Sequence, residues 1–277
     1  LKILILGGNG MIGHSLFSEL RKSFDVKVSL RLGWSKYEAL KFYNREDCFL
    51  NIDALDFKTI EDMIKSFKPH VVINAIGAIK QKINIINIEN SIYLNSLFPH
   101  KLSRLITKYK FRLILLSTDC VFSGDDGGYN ENHKTDAVDL YGRTKILGEV
   151  SSENILVIRK STIGLEISGQ HGLVEWFIKQ DGQINGYNRA IYSGLISSEF
   201  ARFIKNIILD HKKLNGIYHL SSEPISKYNL LKGLKERLNL KNVFINEDNI
   251  FVCNRSLNMK KLKKVTGYTA PSWDKML

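Results

Sequence analysis

The amino-terminal segment combines a short apolar run with regularly spaced glycines, and this feature constrains the fold of the chain more than any other. The run Ile3–Leu6 ends at Gly7, Gly10 and Gly13 follow at intervals of three, and residues from Met11 onwards show apolar side chains at helical spacing. This order predicts a strand, a tight turn and a helix. In such a unit Gly7 permits the turn, Gly10 lets a pyrophosphate approach the backbone, and Gly13 allows close packing of the helix on the strand. The segment therefore predicts a phosphate-binding turn at the start of the first helix.

Strand-like and helix-like segments alternate along the rest of the first 160 residues. Apolar runs of strand length cover 26–30, 71–74, 111–117 and 155–158, and helical patterns cover 11–23, 57–67, 91–109 and 141–151. Continuously apolar strands that alternate with helices are typical of a parallel sheet covered on both faces. The predicted fold class is α/β, with a doubly wound parallel-sheet Rossmann domain over residues 1–160.

The pattern becomes less regular after residue 160. Helical patterns at 173–179, 198–210, 226–238 and 258–266 are separated by short strand-like pieces such as 216–220. We predict a smaller, mostly helical region over residues 161–277, interleaved with the first domain. In an open α/β sheet, ligands bind outside the carboxyl ends of the strands, so this region is expected to close over that edge and to provide the substrate pocket.

Composition excludes several classes of protein. The formal charge of +12 is spread along the chain, with one dense lysine cluster at 260–264, and no nucleic-acid-binding module accompanies it. The three cysteines are widely spaced without a CxxC pair, and the histidines lack metal-ligand spacing. No apolar run approaches the ~18 residues that a membrane span needs. We therefore expect a cytoplasmic protein with no metal and no nucleic-acid or membrane partner, and leave a homodimer open.

A hydroxyl, a phenol and an amine are predicted to meet at the carboxyl edge of the sheet. Thr118 lies at the end of a predicted strand, and Tyr141 and Lys145 are four residues apart on the next helix, so they share one face. A free phenol has a pKa of ~10, and a nearby ammonium favours the phenolate and lowers that value. Tyr141 is then a usable general acid towards a carbonyl that accepts hydride, with the Thr118 hydroxyl holding the carbonyl oxygen.

The second predicted strand ends at Arg31, where an NAD-binding site usually has an acidic residue for the ribose hydroxyl. A guanidinium suits the extra phosphate of NADP, so NADPH is the expected cofactor and NADH the alternative. Asp53 is expected to meet the adenine, and Lys145 the ribose hydroxyls. The predicted cofactor-binding residues are Gly7, Asn9, Gly10, Met11, Ile12, Gly13, Arg31, Asp53, Ala75, Gly77, Ser117, Tyr141 and Lys145.

The order of these motifs resembles that of the extended short-chain dehydrogenase/reductases. The strings STDCVFSG at 117–124 and YGRTKILGE at 141–149 resemble the dTDP-4-dehydrorhamnose reductase branch, and RKSTI at 159–163 resembles that family's Arg-Thr-Ser strand end. The resemblance implies that Thr118, Tyr141 and Lys145 are catalytic. It also implies NADPH-dependent reduction of the 4-keto group of a nucleotide-linked 6-deoxyhexose, in the synthesis of bacterial surface polysaccharide. The substrate-binding residues predicted with it are Thr118, Asp119, Val121, Phe122, Trp176 and Arg255.

Two other functions are compatible with the same residues. A nucleotide-sugar epimerase, or a combined epimerase/reductase, keeps the same three reactive groups. The regulatory beta subunit of methionine adenosyltransferase resembles this branch as well, which leaves a non-catalytic NADP-binding subunit as the alternative from another class. A dehydratase is disfavoured, because such relatives have an Asp-Glu pair after the threonine and here Cys120 follows Asp119.

Overall fold

The chain folds around a parallel sheet whose strands alternate with helices; the computed structural model describes residues 1–79, 87–167, 169 and 171–277. The strands in this part of the chain are β1 Lys2–Leu6, β2 Asp25–Ser29, β3 Cys48–Phe49, β4 Val71–Asn74, β5 Arg112–Thr118, β6 Ile155–Lys160, β7 Thr162–Ile163, β8 Gly182–Tyr187, β9 Ala190–Tyr192, β10 Leu195–Ile196, β11 Gly216–His219, β12 Ile225–Ser226, β13 Val243–Asp248 and β14 Cys253–Asn254. The α-helices there are α1 Met11–Leu20, α2 Phe57–Phe67, α3 Ile88–Ile92, α4 Phe98–Tyr109, α5 Leu140–Leu147, α6 Leu173–Ile178, α7 Ser197–Asp210, α8 Lys227–Arg237, α9 Lys260–Thr266 and α10 Trp273–Met276.

The central sheet of the described residues has seven strands in the order β11-β6-β5-β4-β1-β2-β3. Every neighbouring pair in it is parallel. The chain builds outwards from β1 to β3, returns to β4 beside β1, and then builds in the opposite direction. This reversal leaves a crevice outside the carboxyl ends of β1 and β4, where ligands of doubly wound folds bind. The predicted fold class is confirmed.

Two apolar layers cover the sheet. Ile3 and Ile5 face a core that includes residues of α1 and α7, whereas Leu4 and Leu6 face a core that includes residues of α2 and α4. This alternation follows from the two-residue period of a strand. All four side chains are completely buried, and burial of each contributes about 1.5–3 kcal/mol. The edge that carries the site is thus held by a rigid double-sided core.

The helix predicted over 91–109 differs from the observed structure. α3 begins at Ile88, a π-helical segment covers Tyr93–Leu97, and α4 follows. Asn95, within the π-helical segment, is completely enclosed and donates to both the carbonyl of Ala78 and the hydroxyl of Thr144. π-helical insertions are frequent at functional sites, and here Asn95 ties the π-helical segment to Ala78 after β4 and to Thr144 of α5.

The region after residue 160 is interwoven with the first one. β11 pairs with β6 at one edge of the central sheet, and α7 packs against α1. The remaining strands of this region form three small sheets, β7 with β10, β9 with β12 and β14, and β8 with β13. The division at residue 160 therefore stays a prediction. None of the described helices is both long and apolar enough to cross a bilayer.

Candidate active site

The turn between β1 and α1 has the backbone geometry that its glycines predict. Gly7 has a φ of +82°, and a Cβ there would lie 2.9 Å from Cγ1 of Ile76. A Cβ on Gly13 would overlap the carbonyl oxygen of Gly7, so this glycine is needed for close packing of helix on turn. Gly10 is the N-cap residue of α1 and provides no side chain to bond the first amides of the helix. The first turn contains no acidic residue. The free amides and the helix dipole therefore suit an anionic phosphate.

A cleft of about 1330 Å³ begins at this turn, follows the carboxyl ends of the strands and continues into the C-terminal region. It brings together most of the residues predicted from the sequence. The predicted residues that line it are Gly7, Asn9, Gly10, Met11, Ile12, Arg31, Asp53, Ala75, Gly77, Ser117, Thr118, Asp119, Tyr141, Trp176 and Arg255. Gly13, Val121, Phe122 and Lys145 are not part of this lining.

Arg31 and Asp53, predicted to meet different parts of the cofactor, face each other. Nη2 of Arg31 lies 3.5 Å from Oδ2 of Asp53, and the two side chains are 70% and 44% exposed. An exposed ion pair of this kind contributes at most about 1 kcal/mol. The guanidinium therefore remains available to a ligand phosphate at low energetic cost.

The Tyr141 phenol lies beside the end of β5. Asp139 caps α5 by accepting a hydrogen bond from the Gly142 amide at 2.8 Å, which fixes the start of the helix that carries Tyr141. The Thr118 hydroxyl is hydrogen-bonded to Tyr141 and lowers the pKa of the phenol, but burial has the larger effect and raises that pKa well above 10. Thr118 also donates to Oδ1 of Asp119 at 3.0 Å. Tyr141 is thus held as a neutral phenol in contact with Thr118.

Lys145 has a different partner from the predicted one. Its Nζ donates to the carbonyl oxygen of Leu116 at 2.6 Å, and burial lowers its pKa to about 8 although Glu149 opposes this shift. The predicted effect of Lys145 on the pKa of Tyr141 stays a prediction: burial raises the pKa of the phenol, and the ammonium is bonded to the backbone here. Lys145 remains protonated at neutral pH, one helical turn from the phenol.

A buried charged network lies behind the carboxyl end of β5. The Ser117 hydroxyl donates to Oε1 of Glu149 at 2.6 Å, and Arg159 binds both oxygens of the same carboxylate at 2.8 and 2.6 Å. The side chains of Arg159 and Glu149 are only 6% and 5% exposed. Nη1 of Arg159 also lies 3.3 Å from Nε2 of His219, whose pKa is lowered to about 3 by burial, so this histidine is neutral. The network fixes the backbone beside Thr118 and was not predicted from the sequence.

Two lysines that the sequence analysis did not select line the substrate end of the cleft. Lys160, the last residue of β6, lies directly opposite Thr118 in the sheet register and is 7% exposed. Burial and the charge of Lys145 lower its pKa to about 7. Lys227 begins α8, and its Nζ lies 4.3 Å from the centre of the Tyr192 ring. Lys160 could have been selected from the sequence, because it lies at the end of a predicted strand. No feature of the sequence pointed to Lys227.

The predicted substrate residues after Asp119 divide into two groups. Trp176 lines the cleft with 41% of its surface exposed, and Arg255 lines it while donating from Nε to the Phe122 carbonyl at 2.9 Å. The side chains of Val121 and Phe122 are completely buried, and the Phe122 ring stacks on Tyr129 at 4.2 Å between centroids. These two side chains therefore support the site from within the core and do not reach the cleft.

Within the described residues, no group of three or more histidine, cysteine or acidic side chains is placed to hold a metal ion.

The doubly wound sheet and the glycine turn at its switch point define a protein of the Rossmann class. The chain belongs to the family described as the RmlD substrate binding domain, whose model matches residues 1–277. The chain is 24% identical to the methionine adenosyltransferase 2 subunit beta of Xenopus laevis, over 86% of this chain and 72% of that protein. It is also 24% identical to the dTDP-4-dehydrorhamnose reductase of Aggregatibacter actinomycetemcomitans, over 100% of this chain and 97% of that one.

A solved structure shows the same fold over nearly the whole chain. The dTDP-4-dehydrorhamnose reductase of Bacillus anthracis in complex with NADP superposes with a TM-score of 0.79 at 20% identity, covering 99% of this chain and 96% of that chain. Together with the family match, this confirms the resemblance inferred from the strings at 117–124 and 141–149.

Proposed function

We propose that this protein uses NADPH to reduce the 4-keto group of a nucleotide-linked 6-deoxyhexose. One observation carries the proposal: a single cleft joins the glycine turn, the hydrogen-bonded pair Thr118 and Tyr141, and the cation Arg255. A dinucleotide phosphate fits the turn because no side chain caps the first amides of α1 and no acidic residue lies in its first turn. A bound NADPH would supply the hydride at the carboxyl ends of β4 and β5.

Each reactive group has a separate task in this reaction. Thr118 holds the substrate carbonyl oxygen within reach of Tyr141, and the phenol gives its proton to that oxygen as the carbon is reduced. The raised pKa of Tyr141 keeps the proton in place before the reaction. Because such a phenol is a weak acid, Lys145 must turn from the Leu116 carbonyl towards it to stabilise the phenolate that forms. Arg255 binds the diphosphate of the substrate.

The experiment that tests the proposal follows the absorbance of reduced nicotinamide. NADPH and NADH are titrated separately, and the UDP- and dTDP-linked 4-keto-6-deoxyhexoses are then added to the wild-type protein and to Tyr141→Phe. We expect NADPH oxidation that is lost in the variant, while the variant still binds NADPH. No oxidation with any of these sugars, despite cofactor binding, would contradict the proposal.

A second function is favoured by the relatives. Methionine adenosyltransferase 2 subunit beta is named as a subunit, and it matches this chain as well as a reductase does. The bond of Lys145 to the backbone is compatible with a protein that binds the dinucleotide without turnover. This alternative predicts a stable complex with a second enzyme that survives Tyr141→Phe. The cytoplasmic location and the homodimer stay predictions from the sequence.

A further inference from the structure

Lys160 is a buried cation that lines the cleft at the end of β6. The residue is 7% exposed, and its Nζ lies 5.0 Å from the centre of the Phe200 ring. Across residues 1–79, 87–167, 169 and 171–277, no group forms a hydrogen bond or an ion pair with this Nζ. A buried ammonium loses hydration, and the face of one ring replaces only part of it. The donors of Nζ are therefore available to a group bound in the cleft.

The side chains of Lys160 and Thr118 extend from the same face of the central sheet. The two residues are direct partners in the pairing of β6 with β5. Leu116 and Ile158, two residues earlier on these strands, both belong to the apolar core on one side of the sheet. Side chains alternate between the two sides of a strand, so Thr118 and Lys160 face that side as well. Because neighbouring strands are about 4.8 Å apart, a carbonyl oxygen held by Thr118 lies within reach of the Lys160 side chain.

Reduction of a ketone in this cleft develops negative charge beside an existing carboxylate. The carbonyl carbon accepts hydride, the electron pair of the C=O π bond moves to the oxygen, and the oxygen takes the Tyr141 proton. Asp119 accepts the hydrogen bond of Thr118 at 3.0 Å. Burial, and to a smaller extent Asp119, raise the pKa of Tyr141. Negative charge on the carbonyl oxygen or on the phenol is thus disfavoured unless a cation lies close by.

Lys145 does not provide this cation in the observed arrangement. Its Nζ donates to the carbonyl oxygen of Leu116 at 2.6 Å, and it must leave this bond before it can approach the phenol. Nζ of Lys160 has no such bond to any described residue. Lys160 also stands where the Arg-Thr-Ser string of the resembled family has threonine, so the additional ammonium is a feature of this chain in particular.

We propose that Lys160 is a further catalytic residue, whose ammonium binds the substrate carbonyl oxygen together with Thr118 and stabilises the negative charge that develops there. The ammonium keeps its own proton, since Tyr141 supplies the proton that the oxygen takes. The ketone oxygen has little charge before the reaction, so this interaction contributes to kcat far more than to substrate binding. The inference rests on the proposed function, because it adds a residue to that same reaction.

The contribution of Lys160 should depend on pH. Burial and the charge of Lys145 lower the pKa of Lys160 to about 7, although Asp119 opposes this shift. Burial also raises the pKa of Tyr141 and of Tyr192, so both phenols stay neutral. The ammonium is therefore present below pH 7 and lost as the pH rises through that value. The other titratable groups around it at this end of the cleft are Asp119, Cys120, Tyr141, Lys145, Tyr192, Lys227 and Arg255.

The test compares kcat of wild type and Lys160→Met at about pH 6 and at about pH 9, where the wild-type side chain is charged and neutral respectively. NADPH oxidation is followed with the 4-keto-6-deoxyhexose nucleotide that the wild type reduces, and NADPH binding is titrated by fluorescence. Lys260→Met, on the exposed face of α9, is the matched control. Methionine has similar length without charge, and removal of a buried unpaired charge should not destabilise the fold. Should Lys160→Met fail to fold, Lys160→Gln replaces it.

At the lower pH we expect Lys160→Met to reduce kcat about 10²-fold, with KM and the dissociation constant of NADPH nearly unchanged. At the higher pH the two proteins should differ by less than about threefold, because the wild type has then lost the same charge. Lys145 titrates in both proteins, so its effect cancels in this ratio. Lys260→Met should behave as the wild type at both pH values.

Each other result has a distinct meaning. Unchanged kcat in Lys160→Met would overturn the inference and leave the proposed function intact. A loss of the same size at both pH values would indicate a packing role and would overturn it as well. A change confined to KM would assign Lys160 to substrate binding, and weaker NADPH binding would assign it to the cofactor; either result contradicts the inference. No NADPH oxidation by the wild type would overturn the proposed function and this inference with it.

Discussion

The cofactor end and the substrate end of the cleft are formed by different kinds of chemical groups. At the cofactor end, glycines and free helix amides shape the surface, and its charged pair, Arg31 with Asp53, is largely exposed. At the substrate end, enclosed ionisable side chains dominate, and burial shifts the pKa of Tyr141 upward and that of Lys160 downward. A site made of backbone is sensitive to shape, whereas a site made of enclosed charges is sensitive to the removal of a single charge. The following predictions test this contrast, from the largest expected effect to the smallest.

The largest effect is expected at the phenol. Tyr141→Phe should lower kcat by about 10²–10⁴-fold, because it removes the proton donor, while the dissociation constant of NADPH stays within about twofold. Stopped-flow measurement of nicotinamide absorbance separates the two quantities. The control is Tyr109→Phe, whose hydroxyl donates to Glu61 away from the cleft. Equal losses in both variants would show that the substrate end does not depend on this phenol.

The second effect concerns the buried network behind the site. Glu149→Ala leaves Arg159 enclosed without its carboxylate, so we expect the free energy of unfolding to fall by about 3–5 kcal/mol. Chemical denaturation measures this change. Glu61→Ala is the control, because its partner Lys108 is 65% exposed and removal of so exposed an ion pair should change the stability little. A small change in both variants would mean that the substrate end is not held by its enclosed charges.

The third effect tests shape at the cofactor end. Gly13→Ala places a Cβ against the Gly7 carbonyl, which is backbone and cannot move without opening the turn. We expect a loss of about 1–3 kcal/mol of stability and weaker NADPH binding. Gly33→Ala is the control, since its Cβ would meet Oδ1 of Asn51 at an ordinary 3.6 Å. If Gly13→Ala binds NADPH as the wild type does, NADPH binding does not depend on the close backbone contact between Gly13 and Gly7.

The contrast also explains how far the sequence could predict this molecule. The glycine turn, the apolar strands and the Thr118 and Tyr141 pair are local patterns, and each appears in the structure where the pattern predicts it. The partner of Lys145 is decided by burial and by which backbone carbonyl lies nearby, and no spacing along the chain contains that information. In the same way, β11 joins the central sheet through a pairing with β6, about sixty residues away along the chain. Local chemistry was predictable, whereas long-range pairing and the charge environment were not.

The smallest effect concerns the choice of cofactor. Arg31→Ala should weaken NADPH binding about tenfold and leave NADH binding nearly unchanged, because only NADPH carries the extra phosphate that a guanidinium binds. The difference should shrink as salt is added, since Arg31 is 70% exposed and its interactions are screened. Fluorescence titration of both cofactors at two ionic strengths measures it, with the exposed Arg45→Ala as the control. If the variant binds both cofactors more weakly by the same factor, Arg31 contacts a part that both cofactors share. The expected preference for NADPH must then come from other residues at the cofactor end.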